Sequence, residues 1–230
     1  MPATANHLLN RLPGKERARL LDIGKDFELI CGDVLCKAGQ PTRHVYFPYK
    51  GYIALVTEAQ GSPGVEAGLV GDEGMLGAEL ALSVAKSPLH AVVQAEGWAL
   101  PISTQRFVKE LESSPVLRRC MGRYIYVLMA QHATSAVCLR FHSISERLAR
   151  WLLMRQDRAH SGNLDLAQKS VALMLGVRRS SITAAASDMH RCGLIEYRRA
   201  HLSILDRPGL ETASCNCYEE NLQAYRQLLD

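Results

Sequence analysis

Apolar residues recur at helical spacing twice in quick succession between Leu164 and Leu205, in LDLAQKSVALMLGVRRSSITAAASDMHRCGLIEYRRAHLSIL. Val171, Met174 and Leu175 share one face of a first predicted helix, and Ile182, Ala185, Ala186 and Met189 one face of a second. The two faces can close on a single small core. Asp165 and Gln168 have the spacing of a capping box for the first helix, Gly176 supplies the permissive backbone that ends it, and Cys192-Gly193 stops the second. Leu194 to Tyr197 and Leu202 to Leu205 then alternate as half-buried strands, joined through Arg198, Arg199, Ala200 and His201. Two helices about a tight turn, followed by a basic hairpin, is the pattern of a winged helix-turn-helix.

Upstream the period changes. Residues 27 to 102 read as short strands punctuated by glycine turns: Val45 to Phe47, Tyr52 to Val56, Val65 to Val70, Ala91 to Ala95 and Trp98 to Ile102. Such spacing predicts a β-sandwich or jelly roll. A long helix follows from Pro115 to Cys138, with Leu117, Met121, Tyr124, Leu128, Gln131, Ser135 and Cys138 at alternating steps of four and three. This is heptad spacing. The seam either pairs two subunits through Leu117, Met121, Tyr124 and Leu128 or packs on the chain's own β domain, and the first arrangement is the expected one. Ser143 to Leu153 forms a further helix, with Phe141 to Ser145 as hinge. The expected class is α+β: a β jelly-roll domain over 1–114, a dimerisation helix and hinge over 115–142, a winged helix-turn-helix over 143–211 and a tail over 212–230.

The start of the second short helix carries the functional chemistry. Arg178 and Arg179 oppose the helix dipole there and are poor N-caps, so a local rule is broken where a functional surface would break it. In a helix-turn-helix these N-terminal residues approach base edges, where arginine bridges guanine O6 and N7 and Ser or Thr reaches bases or phosphates. Arg178, Arg179, Ser180, Ser181 and Thr183 are the candidate DNA contacts, with Lys169 on phosphate and Arg198 and Arg199 in the wing. The alternative is a solvated basic face, or a helix-turn-helix that contacts protein.

Charge agrees with the first reading. Residues 140–208 hold twelve Lys and Arg against six Asp and Glu, a net of +6, whereas residues 1–139 hold fourteen against thirteen and residues 209–230 one against four. A local basic surface is what phosphate binding needs. With 47% hydrophobic residues the chain can bury sizeable cores, and it has neither a long apolar run nor a charged-then-apolar leader. No membrane association and a cytoplasmic location are therefore expected. Seven cysteines, at 31, 36, 120, 138, 192, 215 and 217, form no disulfide framework. Cys31 and Cys36 are only a pair, so no four-cysteine iron-sulfur cluster is expected. Cys215-Asn216-Cys217 could bind a metal or oxidise, but its spacing has no histidine beside it, and no metal is expected. No nucleophile or metalloenzyme signature is present, and no enzymatic activity is expected.

The order of parts, together with SERLARWLL, LGVRRSSIT and LSILDRPGLE, resembles the Crp/Fnr family of bacterial transcription regulators. In the β domain the resemblance runs through HVYFPYKGYIALV, GDEGMLGAELAL and HAVVQAEGWAL. It implies a cyclic-nucleotide-binding-like jelly roll, a homodimer through the long helix, binding to a palindromic site on double-stranded DNA, and RNA polymerase as a further partner. The effector pocket it implies lies at Gly77, Glu79, Leu80, Leu89 and His90. In family members that bind cyclic nucleotides, a Gly-Glu-Leu segment meets the ribose and an Arg with Ser or Thr clamps the phosphate before an Ala-x-Val-x-Ala run. Here Gly77-Ala78-Glu79-Leu80 has an extra residue, and Leu89-His90 stand before Ala91. Neither offers a charged, bidentate partner, so no cAMP and no other cofactor is expected. Ser180-Ser181-Ile182-Thr183-Ala184 replaces the Glu-Thr-x-x-Arg common in the recognition helix, which implies a different operator.

Overall fold

The computed structural model describes residues 6–58, 64–165, 168–198 and 201–229, with their side chains except those of residues 165, 168, 169, 228 and 229. Two short helices, α1 (His7–Asn10) and α2 (Gly14–Ile23), open the chain. Buried Asn6 caps α1 by accepting from Leu9 N at 2.9 Å and donates to Pro48 O and Gly74 O at 2.7 and 2.9 Å, which fixes α1 on the β domain.

That domain is an antiparallel sheet of β1 (Phe27–Leu29), β2 (Val34–Cys36), β3 (His44–Thr57), β4 (Val65–Val70) and β5 (His90–Ser103), in the order β1-β5-β3-β4 with β2 also on β5. Of the five short strands predicted from glycine punctuation, Val65–Val70 stands as predicted and the other four merge into two long ones, β3 and β5. Gly51 and Gly97 lie inside β3 and β5, where the ladder between them shifts register. A Cβ on Gly97 would stand 2.0 Å from Lys50 O, and Gly51 has φ +75. These glycines let two backbones close at a bulge instead of ending strands. A 3-10 turn at Ala78–Leu82 precedes β5.

α3 (Thr104–Ser113) leads to α4 (Pro115–Phe141), which Ser114 caps from its side chain with Pro115 just inside. The expected pairing of two subunits through the step-four, step-three seam is corrected here. Leu117, Met121 and Tyr124 are buried in the same core as Phe47, Leu100 and Phe107, with Leu128 packed against it. The Tyr124 hydroxyl also exchanges hydrogen bonds with Met75 N and O, both at 3.1 Å. This face covers the open side of its own sheet, at about 1.5–3 kcal/mol per large apolar side chain, and leaves only Leu128 of the four part-exposed. Another face of α4, carrying Tyr126, Met129 and Val137, is exposed at 59, 65 and 50%.

The chain turns at His142 into α5 (Ile144–Ala159), where Ser143 and Glu146 form a complete capping box. Then come β6 (Asn163–Asp165), α6 (Gln168–Met174), α7 (Arg179–Arg191), β7 (Ile195–Arg198), β8 (His201–Ile204), α8 (Arg207–Ala213) and α9 (Cys217–Leu229). Asp165 pairs with His201 in the sheet β6-β8-β7, while residues 166–167 and the side chains of Asp165 and Gln168, on which the expected capping box depends, lie outside the described residues. The expected tail is also structured. α9 lies along α4, and Cys215, Cys217 and Tyr218 are buried.

Candidate nucleic-acid interface

α6 and α7 close on one core, as the periodicity predicts: Val171, Leu175, Ile182, Ala185, Ala186 and Met189 are buried together with Leu148 and Leu152 of α5, and Met174 packs at its edge. Gly176, at φ +63, turns the chain after α6, and Val177 N donates back to Ala172 O at 2.9 Å. Four residues, Leu175 to Arg178, separate α6 from α7.

Arg178 is the N-cap of α7 and makes no side-chain capping bond. It is exposed with Arg179, Ser180 and Thr183, while Ser181 is half-buried. The first turn of α7 therefore presents two guanidinium groups, free backbone N–H groups and hydroxyls on one surface, a set suited to phosphate and to base edges. Thr183 Oγ1 donates to Arg179 O at 3.1 Å. The hairpin β7–β8 follows with its register centred on Tyr197 opposite Leu202. Burial raises the Tyr197 phenol while the nearby Arg179 charge lowers it, which places β7 beside the start of α7. Arg198 pairs with Glu196 at 2.7 Å. The side chain of Lys169 and all of Arg199 lie outside the described residues.

Residues 146–213 match the sequence profile of the Crp-like helix-turn-helix domain. This part of the chain is similar to that domain. The fold of the chain matches that of Crp/Fnr-type structures. A Crp/Fnr-family regulator from Eubacterium rectale is 15% identical with TM-score 0.70, covering 90% of this chain and 96% of that one. FixK2 from Bradyrhizobium japonicum is 16% identical with TM-score 0.69, covering 84% and 98%. The c-di-GMP-responsive global regulator CLP of Xanthomonas campestris is 15% identical with TM-score 0.68, covering 84% and 100%. No curated protein shows a significant match to the sequence.

Within the Crp-like domain, the basic surplus divides into two uses. Arg147, Arg150, Arg155 and Arg158, all on α5, are buried. Arg155 donates to Tyr52 Oη at 2.8 Å and pairs with Glu66, and its guanidinium lies 3.9 Å from the Trp151 ring centroid. Arg158 Nε donates to Glu73 at 2.8 Å, and His160 Nε2 meets Asp72 at 2.7 Å. These contacts bolt α5 to the β domain. The charge count missed them because counting does not tell an inward arginine from an outward one.

The residues implied as an effector pocket make structural contacts of their own. Leu80 belongs to the main core and Leu89 packs against another cluster. Glu79 accepts from Thr42 Oγ1 at 2.5 Å, His90 faces Glu58 at 3.8 Å, and Gly77 caps the 3-10 turn. None of them lines the cavity of about 300 Å³ between the β domain, α4, α5 and α9, which is bordered by Asp72, Glu73, Gln131, Asp157, Arg158 and Tyr225.

A second cluster was not legible in the sequence. Cys138 and His142 from the end of α4 meet Cys215 and Cys217 from the α8–α9 connection, their four ligand atoms lying within 4.8 Å of one another. Cys138 Sγ is 3.5 Å from Cys215 Sγ, and Cys217 Sγ is 3.5 Å from His142 Nδ1. The Cys215 thiol, His142 and Arg150 hold Cys138 well below the usual thiol range, and the same pairing pushes Cys215 up. The reason for setting Cys215 and Cys217 aside, that no histidine accompanies them, fails because the histidine arrives from another helix.

Proposed function

We propose that this chain is a homodimeric transcription regulator of the Crp/Fnr type that binds a palindromic DNA site in the cytoplasm, recruits or blocks RNA polymerase there, and does not answer to cAMP. The observation that carries the reading is α7 itself. Ile182, Ala185, Ala186 and Met189 bury one face, while Arg178, Arg179, Ser180 and Thr183 are exposed at its N-terminal turn, inside a Crp-like domain. Such a helix enters the major groove by its first turn.

The dimer uses a different seam of α4 from the one first expected. Gly122, Tyr126, Met129, Ala133, Ala136 and Arg140 are all exposed and follow steps of four and three, with small residues that let two helices approach. A second copy would cover them isologously and set two α7 helices about a two-fold axis. The absence of a cationic clamp at Leu89-His90, and the commitment of Glu79 to Thr42, support the lack of a cAMP response.

Selection of bound sequences from a random duplex library tests the whole reading. An enriched palindrome, bound with an affinity that falls steeply with salt, is the expected result. Enrichment of no sequence, with salt-independent or absent binding, would transfer the helix-turn-helix to a protein-contact role.

A further inference from the structure

We propose that Cys138, His142, Cys215 and Cys217 form a tetrahedral site for one zinc ion, which ties the hinge before the Crp-like domain to the C-terminal helix. The spacing of the donors fits. A tetrahedral zinc with Zn–S of about 2.3 Å and Zn–N of about 2.0–2.1 Å separates two sulfurs by about 3.8 Å and a sulfur from a nitrogen by about 3.5 Å. The observed pairs, Cys138 with Cys215 and Cys217 with His142, are each at 3.5 Å. An iron-sulfur cluster would distribute four ligands over two or four irons and spread them apart, so the tight grouping selects a single ion.

The chemistry of the donor set agrees. Three soft sulfurs and one imidazole favour zinc over the hard cations that carboxylates hold. Cys138, Cys215 and Cys217 are only 2, 4 and 1% exposed, so the site is closed, as structural zinc sites are.

Arg150 is an independent observation. It is 9% exposed, its Nη2 donates to Ser135 Oγ at 3.1 Å, and its Nε has no hydrogen-bond partner. Among the described residues no carboxylate pairs with it. A buried guanidinium needs an anion, and its charge acts on all three sulfurs. Zinc with three thiolates carries a net charge of −1, which Arg150 neutralises. On binding, each thiol proton leaves to solvent and three Zn–S bonds and one Zn–N bond form, with no change of oxidation state.

The position gives the site its consequence. His142 is the C-cap of α4 and Ser143 the N-cap of α5, so the ion would sit where the long helix hands over to the Crp-like domain. Through Cys215 and Cys217 it would also hold α9 along α4.

The test uses the full chain, purified under reducing conditions from zinc-supplemented cells and assayed for metal by elemental analysis. One zinc per chain is expected, released in full when a mercurial blocks the thiols. Exchange with Co²⁺ should give the visible spectrum of a tetrahedral thiolate site. Cys215→Ser, Cys217→Ser and His142→Ala should lose the metal, whereas a chain with Cys31, Cys36, Cys120 and Cys192 all changed to Ser should keep it. If the first three misfold, His142→Cys decides, because four sulfurs should hold zinc and shift the Co²⁺ spectrum. A folded parent with less than about a tenth of an equivalent after zinc loading would overturn the proposal. So would zinc retained by all the ligand variants, or a Cys138–Cys215 disulfide formed in place of metal in zinc-replete, reducing buffer.

Discussion

Arg155 of α5 reaches across the domain boundary to Tyr52 of β3, its Nη1 donating to the phenol oxygen at 2.8 Å, and its other terminal nitrogen pairs with Glu66 of β4. Both charges are almost without solvent, at 0 and 6% side-chain exposure, and the guanidinium stacks on Trp151. A planar cation that stacks and donates in two directions suits this place in a way lysine would not. Together with buried Arg158 on Glu73, this group keys the Crp-like domain to the sheet, and any rotation of the two parts must break or carry both.

Arg155→Leu should destabilise the chain by about 3–5 kcal/mol, because Glu66 is left buried without its cation. The double variant Arg155→Leu, Glu66→Leu should recover much of that loss, since paired apolar residues remove both charges. Urea unfolding of the two variants measures the difference. A single-variant cost below about 1 kcal/mol would mean that the pair is open to water in solution.

The capping box at the start of α5 makes a pH prediction. Glu146 Oε2 accepts from Ser143 N at 2.7 Å and Ser143 Oγ accepts from Glu146 N at 3.3 Å. Hydrogen bonds from Ser143, side chain first and backbone second, hold the Glu146 carboxyl below its ordinary 4.5. With the folded value depressed, the stabilisation is fully present above 4.5 and drains as pH falls through the folded value. Ser143→Ala should cost about 1 kcal/mol at neutral pH. Glu146→Gln, which keeps an acceptor but does not titrate, should flatten the acid limb of the stability curve. An unchanged limb in that variant would assign the acid loss to other carboxylates.

The Crp-like domain was legible because its signals are local. Helical periodicity over 171–189, Gly176 after the first helix and Cys192-Gly193 after the second each constrain the chain within a few residues. The limits of legibility lie in long-range geometry. Leu117, Met121 and Tyr124 have the spacing of a coiled-coil seam and also of a helix lying on a sheet, and sequence period alone does not choose between them. β6 was missed because three residues of Asn163–Asp165 carry no alternation and owe their strand to pairing with β8. The Cys and His cluster joins residues 75 and 77 apart, a separation no spacing rule spans.

The exposed seam of α4 yields its own prediction. Tyr126→Glu with Met129→Glu places like charges on both sides of a two-fold interface and should convert two chains per particle into one, with the helical spectrum preserved. Sedimentation at micromolar concentration reads the result. Leu117→Glu, by contrast, should unfold the β domain, since it buries a charge in the core that holds Phe47 and Phe107. A parent that sediments as a monomer, or a double variant that is still dimeric, would remove this face as the interface.

For cAMP the expected outcome is no binding heat in calorimetry and no change in DNA affinity. His90 faces Glu58, Leu89 packs into an apolar cluster and Glu79 is held by Thr42, so a cyclic phosphate finds no bidentate cation among them. Saturable binding at micromolar concentration would show that another cation serves the phosphate.

Arg178 and Arg179 adjoin in sequence but should behave differently on DNA. Arg178 is the N-cap, in extended conformation at φ −70 and ψ 143 and so outside the first turn, which suits it to a phosphate contact. Arg179 is the first helical residue and close enough to Tyr197 for its charge to act on the phenol, which suits it to a base contact. Arg179→Ala should then relax discrimination at one base pair per half-site by about 1–3 kcal/mol. Arg178→Ala should weaken all sequences alike and lower the salt slope by about one unit per subunit. Binding to the selected operator and its single-base variants, at several salt concentrations and with the fold checked by circular dichroism, separates the two effects. If both folded variants bind every sequence as the parent does, α7 does not read the groove, and the exposed turn that now argues for DNA becomes a surface for protein.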